Sequence, residues 1–481
     1  MDDRPGESGA ALIITLIALS LFSLLGLFML LNAATGLQIS DNYESHVQAS
    51  YAALAGLSHV RALLRGLSFD DLLKGPDGAC NQSTSYIAQA RTFAFRNLLT
   101  LTAAQSLNID DPSSVLTGIP DDGLINTGYF ESASGAVLIP LSGIAQLAPN
   151  PYGSGKIVTS RYFVKISDNN GEAAEIAGDP GNDPFFDGDG VIIARSMGVA
   201  RTLSDFTGAI SRNNSVAVFE ARFRRYYTFD LGPAVVLQGI QVSPSFDGPY
   251  EITGGEFPAI GTIDANINDG IFPDQTIRMA PLSNGIIQGG SLPKPSVQEL
   301  SGLIASSPEK SLLLQPEYLW KLTRVWAPRF ADYFYVGDQS WSGSNTPYMG
   351  SYDVSKPSKA SGQDPKIVVV NGNLQLAGNI SGGGLLVVTG DFSCSGSFVY
   401  NGLILVVGSG RLFISSSGMN IEGGVYVSNL SVSSGQVKFG TTVFSISGAN
   451  RIAAQQEGVR MAIRLIPASQ IGFREIAGAD P

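Results

Sequence analysis

The stretch from Gly6 to Gly36, GESGAALIITLIALSLFSLLGLFMLLNAATG, decides how the rest of the chain is arranged. Its segment 10–31 carries no charge, and a helix of that length spans about 33 Å, enough to cross a bilayer. A secretory signal has a basic start and an apolar region of about 7–15 residues, whereas this chain begins MDDR and its apolar run is longer. We therefore expect a membrane-spanning helix, with a plain single-span anchor or a cleaved secretory signal as alternatives.

The flanking charges give the expected orientation of this helix. Arg4 is the one basic residue before the apolar segment, and the next one along the chain is Arg61. Because Lys and Arg favour the cytoplasmic side of a span, we expect the N-terminus inside and the remainder of the chain outside the cytoplasm.

The helical pattern continues beyond the length of a membrane span. Apolar residues recur every three or four positions, which predicts one buried helical face. Arg65 and Gly66 then resemble a helix end, with a basic last turn and a glycine cap. The sequence predicts one helix over residues 10–66, and its expected buried face is formed by Val47, Tyr51, Leu54, Leu57, Val60 and Leu64.

Two segments of this helix resemble the N-terminal region of PilX-type minor pilins of the type IV pilus. They are SGAALIITLIALSLFSLLGLFML and QASYAALAGLSHVRALLRG. The resemblance implies a leader peptide over residues 1–9, with Gly9 as its last residue and Ala10 as the new N-terminus left by a prepilin peptidase. It further implies that the helix holds the subunit in the inner membrane. An assembly platform would then move it into a filament of pilins or pseudopilins that is exposed at the cell surface.

One residue departs from the pattern of that family. Most pilins carry a Glu at the fifth mature position, where this chain has Ile14. The tip pseudopilin of type II secretion systems is similar in lacking this Glu. The departure implies a tip or assembly-priming subunit and leaves a secretion-system tip component as an alternative. Surface adhesion is a separate expected role of such a subunit.

The segment after the helix is predicted to form an α/β head. Period-two alternation indicates three strands, over 157–167, 190–201 and 215–229. Antiparallel strands with one apolar face need a covering layer, which the second half of the helix can supply. We therefore expect an α+β fold in which the long helix packs on an antiparallel sheet, with a pilin-like head over residues 67–231.

The second half of the chain contains a repeat. The segments IVVVNG, LLVVTG and LILVVG end at Gly372, Gly390 and Gly408, 18 residues apart. A fixed period with glycine corners is typical of a Gly-rich β-solenoid, although a β-sandwich with coincidental spacing is the alternative. This region also resembles the C-terminal extension of PilX-like proteins. The predicted segments are a β-rich region with a helical insertion (232–365), solenoid-like repeats (366–445) and a C-terminal segment (446–481).

The acidic stretch DPGNDPFFDGDG at 179–190 is the one candidate metal site. Several carboxylates close together suit Ca²⁺, which takes six to eight oxygen ligands. The spacing departs from the EF-hand pattern, and we favour an ordinary Asp/Gly/Pro turn. The alternative is a Ca²⁺ site formed by Asp179, Asp183, Asp187 and Asp189; no other cofactor is expected.

Charge and composition bear on the remaining classes of function. The net charge is −11, and the short run Arg222, Arg224 and Arg225 is expected to be a solvated face, so we expect no nucleic-acid binding. We expect no enzymatic activity, because the charged residues of the repeats form no recognisable acid–base pair. Those residues are Lys366, Asp391, Arg411, Glu422 and Lys438.

The chain has two cysteines, Cys80 and Cys394. Their number allows one disulfide outside the cytoplasm, or two free thiols, and the sequence does not decide between them. Cys394 is expected to be a small, inward-facing residue of a strand.

Overall fold

The computed structural model describes residues 7–73, 124–125, 145–146, 158–169, 187, 190–200, 215–226, 228–356, 362–416 and 418–476. Helix α1 (Glu7–Leu63) is continuous over 57 residues. The single long helix is as predicted, but it begins and ends three residues earlier than the predicted 10–66. Gly66 ends this segment with a φ of +82°, a left-handed conformation that glycine adopts at no steric cost. Its N–H donates to the carbonyl oxygen of Arg464 at 2.8 Å. A short helix, α2 (Phe69–Leu73), follows.

Helix α1 has two halves with different surroundings. From Leu12 to Ser40 the side chains are exposed, apart from the half-exposed Ala18. One 18-residue window in α1 has a mean hydropathy of 2.6, and the helix is long and apolar enough to cross a membrane. From Ser45 to Leu64 one side of the helix is buried against a sheet.

An antiparallel sheet packs against this second half. Its strands are β1 (Leu124–Ile125), β2 (Ala145–Gln146), β3 (Val158–Asp168), β4 (Val191–Ala200) and β5 (Ser215–Arg224). The order is β1-β3-β4-β5, with β2 on β3, and all these pairs are antiparallel. The three strands expected from alternation are confirmed as β3, β4 and β5. The arrangement of a long helix on an antiparallel sheet, followed by a β-rich remainder, agrees with the predicted α+β class.

The chain then forms two further sheets. Their strands are β6 (Val235–Gly239), β7 (Gln241–Asp247), β8 (Glu251–Thr253), β9 (Ile260–Asp264), β10 (Ile286–Gln288), β11 (Val297–Glu299), β12 (Tyr333–Val336), β13 (Gln339–Ser342), β14 (Gly350–Ser351), β15 (Asp364–Asn371), β16 (Leu374–Ala377), β17 (Ile380–Val388), β18 (Phe392–Cys394), β19 (Phe398–Gly408), β20 (Arg411–Ile414), β21 (Asn420–Ser433), β22 (Gln436–Phe439), β23 (Thr441–Ser447) and β24 (Arg451–Ala454).

The larger sheet has the order β10-β8-β24-β21-β19-β17-β15-β12, and the smaller has the order β13-β16-β18-β20-β23-β7. Along both of these paths the strands are parallel. Val368 lies opposite Leu386, and Leu386 lies opposite Ile404, an offset of 18 residues each time. Strands from segments 232–365, 366–445 and 446–481 pair in the larger sheet.

The repeated apolar runs are buried on both faces of the larger sheet, which explains why they are continuous instead of alternating. One set of their side chains lies in the core shared with the smaller sheet: Val368, Leu386, Ile404 and Val425. The other set packs with the helical segments: Val369, Val387, Leu405 and Tyr426.

Helices cover the outer face of the larger sheet, except the helix over 273–279, whose Ile277 lies in the core shared with the smaller sheet. The helices of this half are α3 (Pro273–Met279), α4 (Ser301–Ala305), a 3₁₀ turn (Lys310–Leu314), α5 (Pro316–Lys321), a π-helical turn (Leu322–Trp326), α6 (Ala327–Phe330) and α7 (Gln456–Arg464). Strand β25 (Ser469–Ile476) then returns to the first sheet and pairs antiparallel with β5. The chain thus crosses from the parallel sheets back to the head at its last described strand.

Candidate functional site

The apolar half of α1 is the first candidate site. Ile14 lies there with 66% of its surface exposed, among side chains that are apolar on every side of the helix. Gly9 and Ala10 fall in the first turns of the same helix. An exposed apolar surface of this extent is typical of a segment that contacts lipid or other protein chains.

The second half of α1 docks on the sheet through small residues. Ala49, Ala52 and Ala53 are buried, whereas the predicted face residues Tyr51 and Leu54 are exposed, with exposed fractions of 69% and 36%. This part of the predicted face was wrong, although Leu57, Val60 and Leu64 are buried as expected.

The helix approaches the sheet closely, which explains why alanines and not Tyr51 and Leu54 face it. A Cβ added at Gly198 of β4 would lie 1.8 Å from the backbone oxygen of Ala49, and one added at Gly56 would lie 2.1 Å from the Ser196 hydroxyl oxygen. Only small side chains fit at such a distance, so alanines instead of large apolar residues form the contact.

His59 extends this contact. Its Nδ1 atom lies 2.6 Å from the hydroxyl oxygen of Tyr162 on β3, and burial lowers the pKa of His59 below its usual range. The neutral imidazole is therefore the form that suits the docked helix.

We expect the docking of α1 to weaken in acid. A pKa that is lower in the folded than in the unfolded chain gives stability that is present above the unfolded value of about 6.5 and is lost as pH falls. Hydrogen exchange, corrected for its intrinsic pH dependence, should show lower protection of residues 52–64 at pH 5.5 than at 7.5. His59→Gln should remove the difference, whereas His46→Gln, at an exposed position, should keep it. Equal pH dependence in both variants would contradict the assignment.

The arginine run at the end of β5 is only partly solvated, which corrects the sequence-based expectation. Arg225 has an exposed fraction of 2%. Its guanidinium donates to the carbonyl oxygens of Leu64 and Leu67 and lies over the ring of Phe69 at 4.2 Å. A cation near the last carbonyls of a helix is favourable, so Arg225 fastens the end of α1 to the sheet.

A buried ion ladder joins three strands of the same sheet. Glu220 of β5 lies opposite Arg195 of β4 and opposite Arg474 of β25. The Glu220 carboxylate accepts from Arg195 Nε at 2.6 Å and from Arg474 Nη2 at 3.0 Å. Arg195 and Glu220 have exposed fractions of 1% and 2%. Burial alone would raise the pKa of Glu220, but the hydrogen bonds and charges of Arg474 and Arg195 lower it below its usual range.

Of the acidic stretch 179–190, the structure describes Asp187 and Gly190. The backbone N–H of Asp187 donates to Asp70 Oδ1 at 2.8 Å, and its Oδ1 accepts from Gly190 N–H at 2.9 Å. Asp179, Asp183 and Asp189 lie outside the described residues, so the Ca²⁺ site stays a prediction. Within the described ranges, no group of three or more His, Cys, Asp or Glu is placed to hold a metal.

Several charged residues of the repeats have neighbours of opposite charge. Lys366 Nζ lies 2.5 Å from Asp364 Oδ1, Arg451 Nη1 lies 3.2 Å from Glu422 Oε1, and Arg411 lies 3.9 Å from Asp391.

Cys394 is buried, as expected, and burial raises the pKa of its thiol. These arrangements suit a structural role of the residues concerned.

Comparison with known proteins assigns no family to the chain. No protein-family profile matches the chain, and no curated protein matches it. Among solved structures, the competence-associated pilin ComZ from Thermus thermophilus aligns over 90% of this chain and 97% of its own length, at 12% identity and a TM-score of 0.19. At that TM-score the likeness carries no inference about fold or function.

Proposed function

We propose that the chain is a pilin-like minor subunit of a type IV pilus. The observation that carries the proposal is the division of one continuous helix, with a bare apolar half over 12–40 and a half docked on an antiparallel sheet over 45–64. A helix that both spans lipid and builds the head suits a subunit that is stored in the membrane and then transferred whole into a filament. A cleaved signal would need no such continuity with the folded head.

A tip or assembly-priming position is the finer proposal. Ile14 brings no carboxylate into the apolar half of the helix, so it lacks the charge with which most pilins pair to a neighbour's terminal amine. The head after residue 66 is also bulky for packing at every position of a helical shaft. The same two features suit the tip pseudopilin of a type II secretion system, which is the alternative; a static membrane-anchored surface protein is a second one.

The proposed partners and location follow from this role. The helix would contact the lipid bilayer of the inner membrane and then other pilins or pseudopilins, after a prepilin peptidase and the assembly platform have acted on it. The head would lie outside the cytoplasm and reach the cell surface in the filament, where adhesion is a proposed role.

The parallel sheets are proposed to be a β-solenoid that acts as a rigid structural unit and not as an enzyme. The support is the 18-residue offset between paired strands of the larger sheet and the matching offset in the smaller sheet, where Leu374 lies opposite Phe392. The ion pairs of Lys366 and Glu422 occupy two of the few residues that acid–base chemistry would use.

The mature N-terminus tests the proposal. In cells with a prepilin peptidase, mass spectrometry of the membrane-bound chain should find an N-terminus at Ala10, and sheared filaments should contain the same chain at low copy number. Gly9→Arg should leave the leader in place, whereas Gly26→Ala, at a glycine with open space around it, should be processed normally. A chain that keeps Met1, or one cut beyond the apolar segment, would contradict the proposal.

A further inference from the structure

A cavity of about 510 Å³ lies where the head meets the parallel sheets. It is bounded by the end of β5, the helical segment 312–330 and the connection between α7 and β25. Its walls are largely apolar and aromatic, formed chiefly by Phe229, Leu322, Trp326, Phe330, Ile463 and Ile466. Apolar cavities of this size with a few polar groups are the usual form of small-molecule sites.

The polar groups around the cavity are basic or uncharged. Arg61, Arg224 and Arg225 line it, together with the hydroxyl groups of Tyr318 and Thr228, and none of the described residues that line it is acidic. Arg225 is held by the carbonyl oxygens at the end of α1. Arg61 is exposed, and Arg224 lies 5.9 Å from the ring centroid of Tyr226. In a chain with a net charge of −11, three arginines on one cavity are a local concentration of positive charge.

We propose that this cavity binds an amphipathic organic anion, with an acyl body in the apolar interior and a carboxylate facing Arg61 and Arg224. The apolar walls would remove the acyl chain from water. The guanidinium groups would hold the anionic end by charge-assisted hydrogen bonds. The cavity is independent of the filament role, since it is formed by residues outside the apolar half of α1.

Fluorescence quenching by bromododecanoate tests this inference on the full chain in phosphatidylcholine nanodiscs. The chain has three tryptophans, at positions 320, 326 and 341, all outside the apolar half of α1, so quencher dissolved in the bilayer does not report on the site. Saturable quenching is expected, and Trp326→Phe should remove most of it. Bromododecanol, with the same body and no charge, should bind about tenfold more weakly, a difference of about 1.4 kcal/mol.

Variants at the cavity separate a specific site from general apolar binding. Arg61→Gln and Arg224→Gln should each weaken binding of the acid about tenfold, whereas Arg411→Gln, an exposed arginine of β20, should leave it unchanged. Ser469→Phe, which adds bulk at an exposed lining position without removing a buried side chain and without adding a tryptophan, should abolish it while the melting temperature is kept.

Three outcomes would overturn the proposal. One is the absence of saturable quenching, and another is equal binding of the acid and the alcohol. The third is unchanged affinity in both arginine variants, which would show that the anionic end does not face them. Dodecyl phosphate, tested in the same way, distinguishes a carboxylate from a phosphate as the preferred anionic group, and tighter binding of the phosphate would overturn the assignment of a carboxylate.

Discussion

Glu220→Gln is expected to destabilise the head by about 3–5 kcal/mol, because it removes the carboxylate charge that the buried guanidinium of Arg195 contacts. The substitution also removes the charge that Arg474 contacts across the next strand pair. Since Arg474 lies in β25, the loss should be greatest there. Hydrogen exchange should show reduced protection of residues 469–476 and, to a smaller extent, of β4.

Glu475→Gln is the matched control for this prediction. Glu475 is the neighbour of Arg474, has a half-exposed side chain, and lies 3.9 Å from His46. Surface pairs of this kind contribute about 0–1 kcal/mol, so this variant should exchange like the parent chain. If protection of β25 is unchanged in Glu220→Gln, the ladder does not hold that strand.

Gly198→Val is expected to separate α1 from the sheet. The added side chain begins 1.8 Å from the backbone oxygen of Ala49, and backbone atoms of a packed helix cannot move aside as a flexible side chain does. Overpacking in a core costs about 1–3 kcal/mol, and more where backbone must shift. Residues 45–64 should lose protection in hydrogen exchange and become accessible to protease in nanodiscs.

Gly302→Val provides the comparison. Gly302 lies in α4 with no atom within 4 Å of an added Cβ, so this substitution should leave protease resistance unchanged. Retention of full protection over residues 45–64 in Gly198→Val would mean that the helix does not approach the sheet as closely as described.

The sequence predicted those elements whose cause is local. The extent of α1 follows from helical periodicity and a glycine stop, and β3, β4 and β5 follow from alternation. The period of 18 residues predicted the spacing of paired strands, because each apolar run is the same strand of successive repeats. In these cases neighbouring residues alone carry the information.

The remaining features depend on partners that are distant in sequence. Ala49 and Ala53 form the contact face because Gly198 lies opposite them. Apolar periodicity alone predicts Tyr51 and Leu54 as contact residues instead. Arginine is a residue type usually found at the surface. Arg225 is buried because the end of α1 lies over it. The cavity is formed by four separate segments, so no local pattern indicates it.

Strand β25 makes the completion of the head depend on the last described part of the chain. Residues 469–476 pair with 218–224, and the whole of the parallel sheets lies between them in sequence. If the segments after α1 cross the membrane in sequence order, β5 keeps an open edge until more than two hundred further residues have crossed, and open strand edges invite pairing with other chains. The first sheet is therefore completed only when β25 is added, and a chain that stops before residue 469 leaves the edge of β5 open.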